Sequence, residues 1–219
     1  MSPRIVPPEP SAPAARSTYR HGDLRRALLD AGIELARAGG PEAVVLREAT
    51  RRAGVVPNAA YRHFGSRQEL LQAVRAAALG ALAAAMEAEL GRLRRRRPEA
   101  DYARASLRAV GAAYLRFAQD ETGLFRTAFG RPLPAPDPAP ADKAGPGGLN
   151  PFELLGVALD RMVEEGVLPA ERRPGAEYLA WSAVHGLALL LVDGPLYGMA
   201  RAPVQALSRR LLDMVEQGL

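Results

Sequence analysis

Asn58, Ala59, Arg62 and His63 share one face of a short segment that opens at Pro57. Two of these side chains have the chemistry to read a base pair. An Asn amide can pair bidentately with adenine, and an Arg guanidinium with guanine. Tyr61, Ser66 and Arg67 follow, suited to phosphate; Ser66 and Arg67 stand at the start of a helix, where free N–H groups favour anions. Arg47, Pro57 and Ala59 complete the candidate DNA-contacting set. A second group has the chemistry of a mainly apolar small-molecule site: Met86, Tyr114, Phe117, Phe125, Tyr178, Trp181 and His185. Trp181 and His185 are spaced i,i+4, so they share a helical face.

Other chemistries find no support. The chain has no cysteine, which excludes disulfides, thiolate zinc sites and cysteine nucleophiles. His21, His63 and His185 are scattered, and no metal-ligand cluster, Gly-rich phosphate loop or nucleophile elbow is present. No cofactor is expected. An enzyme using His185 as acid–base group is the first rival reading, opposed by the lack of a second catalytic partner near it in sequence. The second rival is a protein-interaction module that no longer binds DNA.

The elements that must hold these residues are helical. Hydrophobic residues make up 48% of the 219 and aromatics only 5%, so the core is mostly Ala, Leu and Val, a balance that favours helix. From Asp23, Leu24, Leu28, Ala31 and Leu35 follow a helical period that Gly39, Gly40 and Pro41 end. A short helix spans about Leu46 to Ala53, stopped by Gly54; another runs from Pro57 to about Phe64. Ser66 and Glu69 form a capping box that opens a long helix reaching about Leu93. Further helices are expected near 99–120, 123–129, 152–165, 175–192 and 204–217. Residues 131–149, rich in Pro and Gly, read as a flexible loop. Strand signals are absent, and the fold class is all-α.

Two short helices joined by a tight Gly-containing turn make a helix-turn-helix. Leu46, Ala49, Ala53, Val55, Ala60 and Phe64 would pack inward and leave the Asn58–Arg62 face outward. The net charge of +5 suits a nucleic-acid partner, although a GC-rich genome explains the same composition: Lys143 is the sole lysine among 29 basic residues. The Arg94–Arg97 run lies far from the reading segment and reads as a solvated helix end. No apolar run of membrane-spanning length and no signal-peptide core is apparent, so a soluble, cytoplasmic protein without a membrane partner is expected.

The run Tyr19-Arg20-His21-Gly22-Asp23-Leu24-Arg25, then Ala53-Gly54-Val55, then Tyr61-Arg62-His63-Phe64-Gly65-Ser66-Arg67, strongly resembles the TetR family of transcription regulators across residues 19–75. Trp181-Ser182-Ala183-Val184-His185-Gly186 looks like the WHG type of C-terminal domain in one branch of that family. The resemblance implies a three-helix DNA-binding domain over 19–65 after a disordered arm at 1–18. It implies a dimerisation and effector-binding domain over 66–219, and a repressor that binds operator DNA as a homodimer. Val56 and Val45 depart from the family pattern, standing where Ser or Thr usually caps a helix; a lost cap costs about 1 kcal/mol. The expected dimer face lies on the last two long helices: Tyr178, Ala180, Trp181, Val184, Leu187 and Ala188 on one, and Leu207, Leu211, Leu212 and Val215 on the other.

Overall fold

A computed structural model of the chain describes residues 21–93, 98–131 and 137–219. The expected disordered arm at 1–18 and the Arg94–Arg97 run lie outside the described residues. Among the described residues there are nine α-helices and no strand. They are α1 (His21–Ala43), α2 (Leu46–Arg52), α3 (Pro57–Ala60), α4 (Arg67–Leu90), α5 (Glu99–Asp120), α6 (Thr122–Ala128), α7 (Pro151–Glu164), α8 (Ala176–Val192) and α9 (Arg201–Gly218). The chain of α1 bends where expected, since Gly39 and Gly40 leave helical backbone angles and Pro41–Ala43 form a separate last turn.

Helices α1 to α3 form a small head around Leu28, Leu46, Ala49, Ala60 and Phe64, all buried. Ala53 and Val55 pack against this core only partly. Gly54 makes the turn between α2 and α3 with φ of 68°, a conformation that costs a residue with a Cβ atom free energy. The regular part of α3 closes at Ala60, earlier than the periodicity suggests. The turn that follows is still held by the Phe64 N–H on the Ala60 carbonyl, at 2.9 Å. Neither Val45 nor Val56 supplies a side-chain cap. Ser66 does: its Oγ accepts from the Glu69 N–H at 3.2 Å, while the Glu69 carboxylate accepts from the Gly65 N–H at 2.9 Å.

Helix α4 runs from this cap into the distal bundle. Contrary to the sequence reading, it is long and apolar enough to cross a membrane, but half of it is buried in the fold. It packs on α1, α5, α6 and α7 as a core helix. Residues 137–149 are no loose loop. They carry a 3₁₀ turn, Pro140–Lys143, that lies on α4. The Gly147 N–H donates to both Glu87 carboxylate oxygens at 3.1 Å, and a Cβ on Gly80 would sit 3.0 Å from the Ala144 carbonyl oxygen. The Ala and Gly content of α4 is what lets the segment approach.

Helix α6 lies across the end of α1. A Cβ on Gly123 would meet the Ala36 carbonyl oxygen at 2.2 Å and that of Arg37 at 2.5 Å. Both obstacles are backbone, so neither can rotate away. Gly123→Ala should therefore lower stability by about 1–3 kcal/mol through overpacking. A urea midpoint equal to that of the wild type would contradict this contact.

Candidate DNA-reading head and effector cavity

In the head, Asn58, Tyr61 and Arg62 are exposed on α3 and the turn after it, with Ala59 and His63 half-buried beside them. α3 starts at Pro57. Arg47 is exposed on α2. Arg47 and Arg62 form no ion pair among the described residues. The next two arginines are engaged: Glu48 accepts from Arg51 and Arg52, and these bonds, Arg51's first, hold its carboxyl down at about 2. Arg25 lies over the Phe64 ring at 5.0 Å.

Arg67 is also engaged within the chain. Its Nε donates to the Val44 carbonyl at 2.7 Å and its Nη2 to the Pro41 carbonyl at 2.8 Å, with Glu42 3.5 Å away. It ties the α1–α2 turn to the start of α4, where a phosphate contact was expected. Arg67→Ala should lower stability by about 1–3 kcal/mol, since two carbonyls lose a charged donor. An unchanged denaturation midpoint with weakened DNA binding would assign Arg67 to phosphate instead. Ser66 caps α4 through its oxygen and keeps its hydroxyl proton free to donate.

The distal bundle holds a partly open cavity of about 470 Å³ between α4, α5, α7, α8 and α9. Of the sequence candidates, Met86, Tyr114, Tyr178 and Trp181 line it. Phe117 and Phe125 do not; both are buried core, Phe125 edge-on to Tyr114 with centroids 5.7 Å apart. His185 stands behind the wall, its Nδ1 2.6 Å from the Tyr114 hydroxyl. Phe129 and Phe152 also line the cavity and meet Trp181 at 6.3 and 5.8 Å between centroids; of these the sequence reading missed Phe152. Phe129 directly follows α6 and Phe152 lies in the first turn of α7, positions that periodicity cannot orient.

The polar cluster can be assigned proton by proton. Trp181 Nε1 is a donor only and points at Tyr114 Oη from 3.4 Å. Tyr114 thus accepts from Trp181 and gives its own proton to His185 Nδ1, an assignment from donor and acceptor logic. Burial pushes the Tyr114 hydroxyl above its ordinary range and lowers His185, so both are neutral. His185 therefore does have a close partner, but the pair is driven apart in proton affinity and no nucleophile adjoins it. Because the folded value of His185 is depressed, acid favours the unfolded chain. Stability should fall as the pH drops below the ordinary imidazole value of 6.5 and on through the lower folded value. Thermal melts between about pH 8 and about pH 5.5 should show a smaller acid-side loss in His185→Gln; equal losses would place the acid sensitivity elsewhere.

The faces of the last helices also differ from expectation. Ala180, Val184, Leu187 and Ala188 are buried within the chain, as are Leu212 and Val215. Tyr178 of the expected face is exposed and Trp181 half-buried; α8 also exposes Leu179, Ser182, Leu189 and Leu190, with Ala183 and Gly186 half-buried between them. α9 exposes Met214, with Leu207 and Leu211 half-buried beside it. Among the described residues no group of three or more His, Asp or Glu could hold a metal ion.

A compact helix-turn-helix head, joined by one long helix to an all-helical bundle, defines a one-chain DNA-binding transcription regulator. Sequence comparison identifies which. Residues 28–74 match the profile "Bacterial regulatory proteins, tetR family", and residues 107–215 match "Tetracyclin repressor-like, C-terminal domain". The chain belongs to the TetR family. No curated protein sequence matches it. Among solved structures it resembles a protein of unknown function from a Rhodococcus species, at 25% identity and a TM-score of 0.71, covering 94% of this chain and 99% of that one. It also resembles the TetR family transcriptional regulator PfmR from Thermus thermophilus, at 22% identity and a TM-score of 0.52, over 88% and 98% of the two chains. FadR from Bacillus subtilis, solved in complex with stearoyl-CoA, shares 13% identity with a TM-score of 0.60, over 89% and 98%.

Proposed function

We propose that the protein is a ligand-responsive repressor. It binds a palindromic operator as a homodimer and releases it when a small, mainly apolar effector fills the cavity. The observation that carries this reading is the 470 Å³ apolar cavity in the same chain as an exposed Asn58–Arg62 head. The cavity lies within the range of ordinary small-molecule sites, roughly 300–1,000 Å³. FadR, of similar fold, holds an apolar-tailed ligand, which supports an effector role for this cavity. Effector binding would favour a state in which the two heads no longer match successive major grooves.

Arg62 and Asn58 read bases in this account; Arg47, Tyr61 and Ser66 hold the backbone, and His63 and Ala59 border the groove. In a selection of bound fragments from the source genome, Arg62→Ala should relax the recovered motif at a cost of about 1–3 kcal/mol. A motif unchanged by the substitution would remove Arg62 from base readout. Weak binding without any salt dependence would favour the interaction-module reading.

The homodimer would form through the partly exposed outer faces of α8 and α9. Small Ala183 and Gly186 let helices approach, while Leu179, Leu190, Leu207 and Leu211 supply apolar area of the kind obligate interfaces use. Leu211→Glu should yield monomers or insoluble chains in light scattering. A monomeric wild type at micromolar concentration would contradict the dimer.

A further inference from the structure

We infer that the cavity takes an amphipathic carboxylate, an apolar alkyl or aryl body with one anionic head, and that Lys143 receives the head. The inference rests on the effector reading above.

Among the described residues two cations and no carboxylate line the cavity. Arg108 is not available: its Nη1 is bound by both Asp213 and Glu216 of α9, the latter at 3.1 Å. Among the described residues Lys143 has a single ion-pair partner, Asp137 at 2.7 Å, and that carboxylate's side chain is 74% exposed against 23% for the lysine. A well-hydrated carboxylate holds a cation weakly. The lysine, set in a largely apolar wall, is the less hydrated of the two and has more to gain from a second anion.

The rest of the wall fits the body of such a ligand. Tyr178, Phe152, Trp181, Phe129 and Tyr114 form a chain of rings with neighbouring centroids 5.4, 5.8, 6.3 and 5.7 Å apart. Rings alone would also suit a lipophilic cation. Two cationic side chains in the wall, and no acidic one, oppose that choice. A neutral body would leave the lysine facing an apolar surface. The Tyr114 hydroxyl is already committed to His185, so it does not compete for the head.

The residue type itself fits the role. The chain uses Arg for every other basic position, and its one lysine stands here. A compact ammonium on a flexible four-carbon stem can swing from Asp137 to a ligand, which a rigid guanidinium fork does less readily. Asp137 also accepts from Gln72 Nε2 of α4 at 3.4 Å, so the same movement would alter a tether to the second turn of α4, close to the head.

Trp181, the chain's single tryptophan, lines the cavity and reports its occupancy. Decanoate and decanamide, titrated against the full-length protein by Trp181 fluorescence, form one matched pair. Biphenyl-4-carboxylate and its amide, followed by calorimetry, form another. The carboxylate of at least one pair should bind about tenfold or more tightly than its amide, a preference of the size a charge-assisted bond provides. Lys143→Gln should reduce the carboxylate to the affinity of the amide without changing the amide, and Lys143→Arg should keep part of the preference. Equal affinities in both pairs, or tighter amides, overturn the anionic head and leave the apolar effector standing. A carboxylate preference that survives Lys143→Gln overturns the role of Lys143. Failure of all four compounds to bind overturns this inference together with the cavity reading on which it rests.

Discussion

The absent side chain of Gly123 is what allows α6 to lie directly on the carbonyls of Ala36 and Arg37 at the end of α1. Among the described residues α1 and α6 pack together extensively. Around it α6 is fixed on three sides by arginines. Arg37 of α1 donates to Glu121 at 2.8 Å. Arg75 of α4 donates to the Thr127 and Arg131 carbonyls at the end of α6 and just past it, at 3.2 and 2.6 Å. Arg126 of α6 donates to Asp193 and the Val192 carbonyl at the end of α8. Cations at helix C-termini satisfy carbonyls that have no partner within the helix. The end of α6 reaches the cavity through Ala128 and Phe129. One short helix therefore touches the head, the long connecting helix and the cavity wall, and a displacement at any of these must be accommodated at the others, because packed interfaces deform little.

This use of arginine changes how the chain's positive charge should be weighed. Arg67, Arg75 and Arg126 bind backbone carbonyls, Arg108 and Arg173 each bridge two carboxylates, and Arg51 and Arg52 share Glu48. Arginine does this well because its planar fork keeps its charge and makes several directed bonds at once. The net charge of +5 therefore does not say which arginines face DNA. The solvent-facing Arg47 and Arg62 beside Asn58 are the more specific sign.

How much of this was legible in the sequence follows from how local each feature is. The Gly39–Pro41 stop, the Gly54 turn and the Ser66 cap involve neighbours within four residues, and they stand where expected. Glu69 reaches one residue further back than the simple box predicts, to Gly65. The tether made by Arg67 was not legible because its partners, Pro41 and Val44, are more than twenty residues away. The 137–149 segment looked loose for the same reason: Glu87 and Gly80, which hold it, belong to a distant helix. The outward face of α8 could not be phased because that helix is apolar nearly all round, and periodicity distinguishes faces only when one is polar. The aromatic residues posed the same problem. Tyr114 and Phe125 are both buried rings, and only the packing decides that the first lines the cavity and the second fills the core.

The account stands on linkage between the cavity and the head, and linkage is reciprocal. The most direct measurement is the affinity of a genome-selected operator fragment for the protein, with the cavity empty and with it saturated by a ligand that quenches Trp181. It should be paired with that ligand's affinity with and without the operator. The account predicts that saturation weakens operator binding by about tenfold or more, and that operator weakens ligand binding by the same factor. Operator affinity that is the same with the cavity empty and full would contradict it.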